Sequence, residues 1–197
     1  MELQNKHLSI ITHAISAAVF LYLFYSLETG GFSSDPIKGL EHFTGKVAIN
    51  YIFLVVIIPI LSKITNLRIF LSQLKAIGLY AFTWATAHLL VYLILDLGLD
   101  IYFFFNEITS RIYLIIGGVC WIILLLMALT SSIRLKMMLG KHWVYLHKLI
   151  YLIAVLSSVH YVMAVKSGKT EGYIYIVTAL VICLHKILSM YQSRKIN

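Results

Sequence analysis

Apolar residues run in six long blocks separated by short polar punctuation, a pattern that predicts six helices able to cross a bilayer. A hydrocarbon core of about 30 Å needs about 20 helical residues, and the blocks that meet this lie near residues 8–27, 46–62, 75–96, 112–130, 147–165 and 173–190. The second is the shortest, and Pro59 is expected to kink or end it. Short connections make consecutive helices antiparallel neighbours. The first block is too long for the apolar part of a signal peptide and is expected to stay in the mature protein. The expected fold is an all-α integral membrane protein, a six-transmembrane-helix bundle forming a single domain over residues 1–197.

Composition agrees with this reading. Sixty per cent of the 197 residues are hydrophobic and 12% charged, a balance that a water-soluble domain of this size would struggle to bury. Cys120 and Cys183 lie inside apolar runs without partners at zinc-site spacing, so they read as small buried hydrophobes. No internal repeat stands out in the sequence.

Charge then orients the chain. With the N-terminus inside, eleven lysines and arginines fall on inner segments and five outside, namely Lys38, Lys46, Arg111, Lys166 and Lys169. This bias favours both termini in the cytoplasm. The net charge of +8 thus belongs mostly to the cytoplasmic face, where it meets lipid headgroups, and no nucleic acid is needed to explain it.

The chemistry lies in histidines at membrane depth. An ionisable group there must be neutral, paired or bound to something that offsets its burial. His88 and His160 fall at similar depth in two co-directional spans, toward the outer face, and His147 begins span five near the inner face. Imidazoles held inside a helical bundle are a standard grip on haem iron. His147 and His160 are 13 residues apart, which in an ideal helix turns their side chains about 140° from each other. Either the helix begins irregularly near His147, or the two serve different neighbours. Counting back about 13 or 14 residues from His88 reaches Lys75 or Leu74, so the inner site has no second histidine. His13 reads as a hydrogen-bonding link to another helix, His42 as part of an outer loop, and His7, His142 and His185 as interfacial. The outer segment Glu28 to Gly45 is a candidate docking surface or a plain connector. The inner charges Arg68, Lys75, Arg134, Lys136 and Lys141 could attract an acidic donor, although they equally serve the topology rule.

A family resemblance now becomes specific. Asp35-Pro36-Ile37-Lys38 with His42-Phe43-Thr44-Gly45, then Phe82-Thr83-Trp84-Ala85-Thr86-Ala87-His88, then Leu139-Gly140-Lys141-His142-Trp143-Val144-Tyr145-Leu146-His147-Lys148-Leu149-Ile150-Tyr151-Leu152, and finally Val159-His160-Tyr161, resemble the MsrQ family, haem-binding membrane subunits within the ferric-reductase-like transmembrane group. The resemblance spans almost the whole chain. It implies a bacterial inner-membrane subunit that passes electrons from the quinone pool or a cytosolic flavin reductase through b-type haem to a periplasmic molybdopterin-containing methionine-sulfoxide reductase, for repair of oxidised envelope proteins. It also implies His88, His147 and His160 as haem ligands, one or two haems b, and FMN as an associated cofactor without assigned residues. Only a handful of residues follow span six and no Gly-x-Gly-x-x-Gly loop is present, so reducing equivalents are expected to arrive from another molecule. Other readings are a b-type cytochrome with a ferric or quinone acceptor, or a histidine-containing transporter. The transporter would lack an acidic residue near the centre of any span.

Overall fold

The computed structural model describes residues 2–32, 34–165 and 169–196. Ser33 of the outer segment and Lys166 of the outer charges lie outside the described residues. The helices are α1 (Glu2–Glu28), α2 (Pro36–Thr65), α3 (Leu74–Leu90), α4 (Ile101–Ser110), α5 (Ile112–Leu129), α6 (Ile133–Leu139), α7 (Lys141–Lys148), α8 (Ile150–Ala164) and α9 (Lys169–Ile196). A 3-10 turn over Arg68–Gln73 leads into α3, and a π-helical segment over Val91–Asp96 prolongs it. No strand occurs among the described residues. Six stretches are long and apolar enough to span a membrane, one for each expected span. The chain is an all-α, multi-pass membrane protein.

Local chemistry explains where the elements depart from the apolar pattern. Asp35 caps α2, its carboxylate accepting from the Lys38 amide at 3.1 Å, and Pro36 takes the first turn, where its missing N–H costs nothing. Residues 36–45 are therefore helix. The expected outer loop shrinks to Thr29–Asp35, and His42 sits exposed on a helix rather than in a loop. Nor does Pro59 end α2, which runs to Thr65 and stops at Asn66 in the left-handed conformation, φ 59°. The connection after span three contains α4, whose Tyr102, Phe103 and Phe105 are exposed, as interfacial aromatics commonly are.

The chain divides into two compact units, Met1–Glu107 and Ile108–Asn197. In the first, α2 and α3 form the core, with Ala48, Ile49, Ile52, Phe53 and Val56 buried against Ile77, Ala81 and Trp84. Helix α1 joins through Phe20, stacked on Trp84 at 4.3 Å, and through Tyr51 Oη donating to Ser16 Oγ at 2.8 Å. His13 makes the expected interhelical link, its Nδ1 lying 2.8 Å from Tyr80 Oη. Lys38 Nζ bridges Asp96 at 3.0 Å and Glu41 at 3.2 Å, tying the start of α2 to the end of the π segment. Ser72 Oγ donates to Asn5 at the other end, 3.3 Å away, so successive spans of this unit alternate in direction.

The second unit packs α5, α8 and α9. Cys120 and Leu124 of α5, Ile150, Ile153, Ala154 and Ser158 of α8, and Ala179 and Ile182 of α9 are buried. Cys120 is thus a small buried hydrophobe as expected, whereas Cys183 is half-buried; both are free thiols. On α9, Ile174, Val177, Val181, Leu184 and Leu188 recur every three or four residues and are exposed, a stripe suited to lipid. Span five is broken at Leu149, whose amide bonds back only three residues to Leu146 O at 3.0 Å, separating α7 from α8. The irregular start is the alternative that the chain adopts.

Candidate functional site

His88 lies in the last turn of α3, against the second turn of α2. Its Nδ1 is 3.0 Å from the carbonyl oxygen of Glu41 and 3.5 Å from Thr44 Oγ1, itself fully buried and donating to Leu40 O at 2.8 Å. A carbonyl oxygen can only accept, so Nδ1 carries the proton and, in a neutral ring, Nε2 carries the lone pair. This is the tautomer a metal ligand needs, fixed by a hydrogen bond to its other nitrogen. Glu41 also ties this turn to the Lys38–Asp96 bridge through its carboxylate.

His160 repeats the arrangement in the second unit. It lies near the end of α8 against the first turn of α5, with Nδ1 2.7 Å from Tyr113 O. Histidine and carbonyl acceptor are 47 residues apart in both cases. Both pairs are related by an offset of 72 positions, from Glu41 to Tyr113 and from His88 to His160. The same offset takes Thr86 Oγ1, which donates to Phe82 O, onto Ser158 Oγ, which donates to Ala154 O, and takes fully buried Ala81 onto fully buried Ile153. The two units thus share a spacing between each histidine and the groups around it. At this offset few side chains are identical between the units, namely the histidines, Gly45 with Gly117, Val47 with Val119, Leu54 with Leu126, Leu67 with Leu139 and Leu74 with Leu146.

His147 is held differently. It sits at the end of α7, near the end of α5 opposite to Tyr113, because Trp143 Nε1 donates to Thr130 O at 3.0 Å. Its Nδ1 faces the Trp143 carbonyl at 3.1 Å, and the Trp143 indole stacks on it at 3.9 Å with 23° between planes. Lys136 Nζ lies 4.7 Å from the indole centre on α6. By the 72-residue offset, its counterpart in the first unit is Lys75, which is exposed. The remaining histidines His7, His42, His142 and His185 are exposed.

Among the described residues no group of three or more His, Cys, Asp or Glu side chains could hold a metal ion alone. Imidazoles with a defined lone-pair nitrogen suit an iron whose equatorial ligands come from a tetrapyrrole. The donor set therefore fits haem. Sequence reasoning found the histidines but missed the Glu41 and Tyr113 carbonyls, which no side-chain pattern reports. It also missed Gly117, which follows Tyr113 as Gly45 follows Glu41 and could have been found from the shared spacing to the histidines.

The model of the ferric reductase like transmembrane component matches residues 44–158, a segment that holds His88 and His147 and stops two residues before His160. The chain is 34% identical over 189 residues to the protein-methionine-sulfoxide reductase heme-binding subunit MsrQ of Salmonella arizonae, covering 95% of each chain. No solved structure matches it significantly. With near-complete coverage of that relative and a matching transmembrane model over more than half its length, the chain belongs to the MsrQ family within the ferric-reductase-like transmembrane proteins.

Proposed function

We propose that the chain is a membrane electron-transfer subunit that carries b-type haem on His88 and His160, with His147 as a ligand nearer the opposite end of its own unit. The observation that carries this reading is the repeated tautomer: in each unit a membrane-depth histidine is committed, through Nδ1–H, to a backbone carbonyl at 3.0 or 2.7 Å. A bridging or transporting histidine would use both nitrogens interchangeably, whereas a ligand needs one of them fixed as acceptor. Haem, when bound, supplies one-electron chemistry that no amino-acid side chain here offers. The residues of this chain orient the imidazoles, hold their protons away from Nε2 and exclude water with the apolar spans.

The two units together would make one haem-binding domain of an inner-membrane protein, with both termini cytoplasmic as the positive-inside bias favours. Electrons would enter from the quinone pool or a cytosolic flavin reductase and leave to a periplasmic molybdopterin-containing methionine-sulfoxide reductase that repairs envelope proteins. The haem number is one or two, since His147 has no inner histidine partner, and FMN stands as an additional cofactor from family resemblance. Reduction of the purified chain by quinol or by a flavin reductase, followed in the Soret band, separates the two donors. Single His88→Ala and His160→Ala variants should each lose bound haem. Variants that retain a wild-type spectrum would overturn the assignment.

A further inference from the structure

A glycine inside a helix weakens it by about 1 kcal/mol relative to alanine, so glycines within packed spans call for a reason. Two of them have the same one. A Cβ built on Gly117 would stand 2.8 Å from Cε1 and 3.0 Å from Nδ1 of His160, and one on Gly45 would stand 3.2 Å from the same two atoms of His88. Gly78 and Gly118, also inside spans, would place a Cβ 3.9 Å from Val55 Cγ2 or in open space.

Each of the first pair lies four residues after the carbonyl that takes the histidine proton, Glu41 before Gly45 and Tyr113 before Gly117. In an α-helix the amide of residue i+4 bonds to the carbonyl of residue i. That oxygen has a second lone pair, which a side chain at i+4 would crowd and bare backbone leaves open to a ring from the next helix. We propose that Gly45 and Gly117 are positioning residues, two equivalent backbone seats that let the His88 and His160 rings reach the Glu41 and Tyr113 carbonyls and so fix Nε2 as the coordinating nitrogen. The inference rests on the reading of both histidines as haem ligands.

An added methyl group must displace the ring, and displacement lengthens the Nδ1–H bond to the carbonyl. That bond raises imidazole basicity and favours ferric over ferrous iron, so losing it moves the reduction potential upward. Removing such an outer partner lowers metal-centre affinity on the order of 10- to 100-fold.

The test compares the full chain in detergent with G45A and G117A, using G78A and G118A as controls of the same chemistry at open positions. Haem retained against an excess haem scavenger, midpoint potential and the low-spin electron paramagnetic resonance spectrum are measured for each. G117A is expected to lose haem fastest, G45A less so because its contact is looser, and both should show a raised potential and altered g-values, while the controls match wild type. Should G117A fail to fold, the milder G45A still decides, since folded protein with wild-type potential and spectrum contradicts the role. Haem-loaded wild type with all four variants alike overturns the glycine inference alone. A wild-type chain that binds no haem overturns the ligand reading and this one with it.

Discussion

Replacing Trp143 tests whether His147 is held in place by its neighbour or merely stands beside it. The indole makes three separable contacts: Nε1–H to Thr130 O at 3.0 Å, a stacked face on the His147 ring at 3.9 Å, and the Lys136 ammonium at 4.7 Å. The hydrogen bond contributes about 1 kcal/mol, the stacked pair about 0.5–1.5 kcal/mol, and the partly exposed cation about 0.5–1 kcal/mol. Trp143→Phe removes the first and weakens the last, for a loss of about 1–1.5 kcal/mol. Trp143→Ala removes all three, about 2–3.5 kcal/mol, and frees the His147 ring to rotate. Thermal unfolding in detergent reads the stability, and the haem spectrum reads the ligand. The expected result is a graded loss of stability with the His88 and His160 signals intact and any His147-dependent signal reduced in the alanine variant only. A Trp143→Ala protein as stable as wild type would refute the contact reasoning. A graded loss of stability with every haem signal and the reduction rate unchanged would show that Trp143 holds the helix but not a ligand.

Asp35→Ala should cost about 1 kcal/mol through loss of the α2 cap, measurable as earlier proteolysis at residues 29–35 without change in haem content. Lys38→Met severs the bridge among Glu41, Asp96 and the start of α2, but Lys38 is half exposed, so unfolding should shift by less than about 1 kcal/mol. A larger shift would show that this network supports His88 through Glu41. His147→Ala should lower haem content or slow reduction by the donor while preserving part of the spectrum, measured by rapid-mixing absorbance; unaltered spectrum and rate would remove His147 from the ligand set.

The six spans were legible because membrane burial demands long apolar runs, and no local chemistry disguises them. Residues 36–45 were not, because Asp35-Pro36 signals both a turn and a helix start, and only the Asp35–Lys38 hydrogen bond decides. Similarly, the histidines announced themselves as ionisable groups in apolar surroundings, yet the features that select their tautomer are peptide carbonyls common to every residue. The shared spacing escaped notice for the same reason. Glu41 and Tyr113 have nothing in common as side chains and serve identically through their backbone. The break at Leu149 was visible only as a conflict, two histidines 13 residues apart that an ideal helix would set about 140° from each other.

The central claim is tested most directly by the spectrum of the oxidised, detergent-purified chain with haem quantified per polypeptide. At least one haem b per chain, with the spectrum of an imidazole-ligated iron, is the predicted result. A folded, colourless preparation that takes up no added haem would contradict it.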